Sequence, residues 1–83
     1  MDKILVEVYL PAANKSYDVF ISPKSRIYEI TEMLSSTFSD LSAVYFKASD
    51  INVLCDRSGG TALNINMSVE ELGLQNGSKL MLI

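Results

Sequence analysis

Few residues in this 83-residue chain have side chains suited to chemistry: one cysteine (Cys55), one pair of adjacent acids (Glu70-Glu71), one glycine pair (Gly59-Gly60), and no histidine. A reactive thiolate needs a cation or a base beside it. Cys55 is flanked by Leu54 and Asp56 in an apolar stretch, which reads as a small core hydrophobe. A single cysteine supplies neither an internal disulfide nor a multi-cysteine metal site, and it falls short of the thiolate set of an iron–sulfur cluster. The lack of histidine removes the commonest general base, the usual zinc ligand and the usual pH switch together. Gly59-Gly60 is not followed by Lys-Ser/Thr, so it is a turn and not a phosphate loop. Glu70 and Glu71 diverge on a helical turn and read as first-turn acids favoured by the helix dipole. These residues predict no catalytic group, no cofactor and no metal.

Composition sets the remaining bounds. The chain is 48% hydrophobic and 20% charged with a net charge of −3, and its acids and bases are scattered. Phosphate recognition needs a concentrated basic surface, so neither nucleic acid nor an anionic membrane is an expected partner. A chain of this length holds one core, so residues 1–83 are expected to form a single domain. The apolar run near the N-terminus is interrupted by Glu7 and is too short to span a bilayer, so no direct membrane insertion is expected. Without an export signal, the expected location is cytoplasmic.

Periodicity then assigns the elements. From Lys3 to Leu10, Ile4, Val6 and Val8 alternate with Leu5, Glu7 and Tyr9, a half-buried strand. Pro11 to Lys15 is a turn, and Ser16 to Ser22 alternates again, with Tyr17, Val19 and Ile21 against Asp18 and Phe20, completing a hairpin. The period lengthens at Ile27, Ile30, Leu34, Phe38 and Leu41, which form one stripe of a helix expected to be capped by Ser25. Val44-Tyr45-Phe46 fits a short strand or irregular chain. From Ile51 a strand places Ile51, Val53 and Cys55 on one side and Asn52, Leu54 and Asp56 on the other, and a short strand at Ala62 to Ile65 follows. Ser68-Val69-Glu70-Glu71 is a capping box opening a short second helix, Gly73 ends it, Asn76-Gly77 turns the chain, and Lys79 to Ile83 is a closing strand. So apolar a strand cannot sit at a sheet edge, so it must pair in the interior. The layout is α+β, a four- to five-stranded mixed sheet covered on one face by one main helix.

This order of elements resembles the β-grasp of ubiquitin. Ile21-Ser22-Pro23 resembles ubiquitin's second strand running through a proline into its main helix. The ending, with Leu72, Gly73, Leu74, Gly77, Leu80 and Leu82 in the expected roles, is similar to ubiquitin's short helix, turn and last strand. Within that superfamily the chain looks like the small YukD/EsaB proteins of type VII (WXG-protein) secretion loci in Gram-positive bacteria, which likewise halt without Gly-Gly. The resemblance implies a non-conjugating accessory or regulatory component acting by protein–protein interaction, with a membrane or ATPase component of the secretion system as partner. The alternatives are a β-grasp adaptor of another pathway and a sulfur-carrier or modifier-like protein. The last requires a slim glycine terminus, and here the sequence reads Leu82-Ile83.

A sheet covered by one helix leaves its other face to solvent. The alternation assigns Leu5, Tyr9, Phe20, Leu54, Met81 and Ile83 to that face, with Glu7 and Lys79 among them. A contiguous apolar patch marks a protein-binding site, and a homodimer through the same face is the natural variant. A one-residue shift of register would instead make these side chains core, and Tyr9 and Phe20 could pair with each other across the hairpin.

Overall fold

A computed structural model of the chain describes residues 3–41 and 52–83. The expectations for Val44–Phe46, for Ile51 and for the side chain of Leu41 lie outside the described residues. Strands β1 (Ile4–Leu10) and β2 (Lys15–Ile21) form the antiparallel hairpin, helix α1 spans Ile27–Leu41, and β3 (Leu54–Asp56) and β4 (Lys79–Leu82) complete the sheet. The strand order is β2-β1-β4-β3, with β4 parallel to β1 and antiparallel to β3. The closing strand therefore lies in the sheet interior. Pairing on both sides removes the exposed backbone edge that an apolar terminal strand would otherwise present.

The hairpin register sets Ile4 opposite Ile21 and Leu10 opposite Lys15. The turn is closed by the Ala13 and Asn14 amides, which donate to the Leu10 and Pro11 carbonyls, and Asn14 takes the left-handed conformation at φ 53° that asparagine tolerates. Val6, Val8 and Leu10 of β1 and Leu80 and Leu82 of β4 are buried on the face covered by α1, where Ile27, Ile30, Leu34 and Phe38 meet them. Tyr17 stacks on Phe38 with ring centroids 5.1 Å apart, closing the core under β2.

The helix start differs from the expectation. Ser25 is not the cap: its carbonyl accepts from the Val69 amide, and the first helical carbonyl is that of Arg26. The Arg26 amide donates to Glu29 Oε1 at 2.9 Å, which is half of a capping box. The next two amides, Ile27 and Tyr28, donate to the Met67 and Ile65 carbonyls, so the 64–70 segment supplies backbone acceptors that a serine side chain would otherwise provide.

The second capping box forms as read. The Ser68 amide donates to Glu71 Oε1 at 2.8 Å and the Glu71 amide to Ser68 Oγ at 3.2 Å. It opens a single helical turn, not a helix, because the Gly73 amide returns to Glu70 and the Leu74 amide to Val69, with Gly73 at φ 75°. That bond pair is a Schellman ending placed one turn after the start. The expected strand after Gly59-Gly60 is reduced to one bridge between Cys55 and Ala62. Among the described residues the result is a four-stranded β-grasp with one main helix. Among the described residues, no helix is long and apolar enough to cross a membrane.

Candidate functional site

The uncovered face is built by alternate residues of all four strands. The pairings Leu5–Phe20, Glu7–Asp18 and Tyr9–Ser16 set out the β1/β2 half. Glu7–Lys79 and Tyr9–Met81 continue the second and third rows onto β4, and Cys55–Met81 carries the third to β3. Arg57 joins beyond β3, its amide donating to the Lys79 carbonyl, and Val53 and Ile83 exchange both backbone bonds at the far corner.

The expected site residues divide. Phe20 is 64% exposed and Ile83 54%, while Leu5, Tyr9 and Met81 are half-buried on the same face. Tyr9 and Phe20 do not pair: their hairpin partners are Ser16 and Leu5. Leu54 is a correction. It is 2% exposed, lies opposite Leu82, and belongs to the core beneath α1. Its neighbour Cys55 takes the outer position beside Met81. The polar residues Asn52 and Asp56 suggest that the even-numbered side faces solvent. In fact Asn52 lies two residues before the three-residue strand and Asp56 is its last residue, with Asp56 Oδ2 accepting from the Gly59 amide of the following turn.

The centre of the face is polar. Arg57 Nη1 donates to Glu7 Oε2 at 2.7 Å, and the guanidinium lies 4.4 Å from the centroid of the Tyr9 ring. The Tyr9 hydroxyl donates in turn to Asn14 Oδ1 at 2.8 Å. A half-exposed ion pair of this kind contributes little stability, under about 1 kcal/mol. Its larger effect is to hold the guanidinium over the aromatic face, where ring and cation attract. Sequence reasoning misses Arg57 as a site residue, although the alternation Val53, Cys55, Arg57 carries it to this face once the strand is read in the right phase.

The chemically suggestive residues settle into structural roles. Cys55 is buried, and burial pushes its thiol pKa up, away from thiolate. Glu71 is held below the usual carboxylate range by the Ser68 backbone N–H and then by the Ser68 hydroxyl. Glu70 lies 3.9 Å from Lys24 in an exposed pair.

No family model matches the sequence, and no curated protein matches it. Solved structures do. The chain is similar to the EccD5 ubiquitin-like domain of Mycobacterium xenopi, with 19% identity and a TM-score of 0.73 over 100% of this chain and 94% of that one. It is also similar to the ubiquitin-like domain of the type VII secretion system protein ECCD1 of Mycobacterium tuberculosis, with 17% identity and a TM-score of 0.65 over 100% and 99%. A chain of the toluene 4-monooxygenase HD complex with 4-bromobenzoate superposes at a TM-score of 0.81 with 9% identity over 98% and 96%. At these identities the likeness establishes the ubiquitin-like fold. A fold shared by secretion proteins and an oxygenase complex leaves activity to be argued from the site.

Proposed function

We propose that this chain is a non-catalytic, non-conjugating ubiquitin-like protein that binds another protein through its open sheet face, as an accessory component of a type VII secretion system of the YukD/EsaB kind. The observation that carries the binding role is the face itself. Phe20 and Ile83 stand exposed at two of its corners, Leu5 and Met81 lie half-exposed between them, and Arg57 is fixed on Tyr9 at the centre. The aromatic residues Phe20 and Tyr9, with Met81 and Arg57, are of the types enriched at protein interfaces. A role in the cytoplasm, facing a membrane or ATPase component of the secretion machinery, fits a small acidic domain of this composition. The secretion context is supported by the likeness to EccD ubiquitin-like domains together with the Leu72–Leu82 ending.

The test uses the native cell. Phe20→Asp and Met81→Asp variants, each first verified as folded by circular dichroism, replace the wild-type chain, and export of WXG-type proteins is measured. Loss of export with normal protein levels is the expected result. Normal export with both variants overturns the secretion reading.

A further inference from the structure

The open face carries its charges in one transverse row. Asp18 of β2, Glu7 of β1 and Lys79 of β4 stand side by side in register, and Arg57 follows next to Lys79. Two acids directly opposite each other on neighbouring strands repel, an arrangement that sequences normally avoid. Arg57 compensates Glu7. Asp18 and Lys79 are both exposed and have no ion-pair partner among the described residues. They stand one on each side of β1, two strand spacings apart, about 10 Å between Cα atoms. The row thus presents one unpaired negative charge and one unpaired positive charge on either side of a central strand.

The next row has the same asymmetry in shape. On the β2 side stands Phe20, 64% exposed and opposite Leu5. On the β4 side is Gly77, whose amide donates to the Leu5 carbonyl at 2.9 Å. A Cβ at Gly77 would meet nothing within 4 Å, and its φ of 90° disfavours any side chain there. A projecting aromatic on one side of β1 is therefore matched by exposed backbone without a side chain on the other, in the same sense as the charges.

We infer that the partner of this face is a second copy of the chain, packed open face to open face about a two-fold axis that lies over β1 and parallel to it. That rotation exchanges the β2 and β4 sides. It sets Asp18 of each copy against Lys79 of the other, and in the same step it lays each Phe20 over the opposite Gly77. Leu5 and Tyr9 meet their own counterparts on the axis, and each Glu7 arrives with its own Arg57, so the carboxylates that approach there are compensated. A two-fold interface must be self-complementary, and here a charge pair and the meeting of Phe20 with bare glycine backbone satisfy the same rotation. The inference rests on the open face being the binding face, as proposed above.

The experiment is a charge exchange. Wild type, Asp18→Lys, Lys79→Asp and an equimolar mixture of the two variants are measured by sedimentation equilibrium at about 0.1 mM, which populates a dimer of micromolar affinity. Wild type is expected at twice the 9.2 kDa of the single chain. Each variant alone sets like charges against each other at both contacts and is expected to associate at least about tenfold more weakly. In the mixture, an Asp18→Lys copy brings cations to both contacts and a Lys79→Asp copy brings acids to both, so dimerisation is expected to return. Circular dichroism confirms that the variants fold. A monomeric wild type overturns the inference. So does a dimer indifferent to both reversals, or a pair of monomeric variants that stay monomeric when mixed. The export assay is independent: a monomeric protein whose export still depends on Phe20 and Met81 keeps the binding role and loses only the self-pairing.

Discussion

On the helix side of the sheet, Val6, Val8, Leu10, Leu80 and Leu82 are all at or below 1% exposed, whereas the same two strands turn Leu5, Glu7, Tyr9, Lys79 and Met81 to the other side. Residues one position apart on one backbone thus serve different ends. The covered face is uniform and aliphatic, so its contribution scales with apolar area removed from water. The open face mixes aromatic, aliphatic and charged groups in rows, which stabilises the monomer little but gives another protein much to recognise. β3 is where the two faces are hardest to tell apart. Leu54 and Cys55 are equally buried at 2%, yet Leu54 opposes Leu82 toward the helix and Cys55 opposes Met81 away from it.

The largest expected effect tests that contrast directly. Leu54→Asp places an unpaired carboxylate in the core and is expected to unfold the domain, while Leu54→Ala costs about 2–5 kcal/mol. Met81→Asp, one strand away on the other face, should leave the circular dichroism spectrum and the urea midpoint close to wild type. A folded Leu54→Asp protein would mean that β3 is turned over, and the two faces would have to be reassigned.

How much of this is legible in the sequence depends on the length of each alternating run. β1 and β2 each give seven residues of period-two pattern, and α1 gives fifteen residues with a single stripe, so their inward sides are readable without coordinates. β3 gives three, with Asp56 as its last residue and Asn52 two residues upstream, and the phase those two polar residues suggest is opposite to the one adopted. Four strands and a helix also do not reveal that a distant loop will cap that helix. Ile65 and Met67 act there through backbone carbonyls, which leave no mark in residue type. Of the candidate site, the β1, β2 and β4 members are assigned by alternation to the face they occupy. Arg57 is not, because it sits just past the end of the shortest strand.

A smaller effect concerns the turn that delivers β4 to the sheet in the right phase. Ser68→Ala removes one side of the reciprocal cap and is expected to cost about 1 kcal/mol in urea denaturation. Glu71, whose folded-state pKa is depressed, adds a pH dependence with a definite sign. Its contribution is fully present above the carboxylate's ordinary pKa and is lost as the pH falls through its lower folded-state value. Glu71→Gln should therefore flatten the acid limb of the stability–pH curve and leave the neutral region's slope unchanged. An acid limb unaltered by that substitution would show that the cap is not ionised as drawn.

Smaller still is Arg57→Ala on the open face. The ion pair with Glu7 is partly exposed, so the expected loss is below about 1 kcal/mol, and it should shrink further in high salt. A loss of several kcal/mol would break the comparison by making the open face a second source of stability.

The last case is an exception on the covered side. Ser35 is 6% exposed, and its hydroxyl has no hydrogen-bond partner among the described residues. A buried hydroxyl left unpaired carries a desolvation cost, and serine is also a weaker helix former than alanine. If the helix-side face is tuned for stability alone, Ser35→Ala should raise stability by about 0.5–1 kcal/mol, read as a higher urea midpoint at an unchanged slope. A lower midpoint would show instead that the hydroxyl is engaged in the folded protein, and that the covered face, like the open one, holds a group kept for something other than the core.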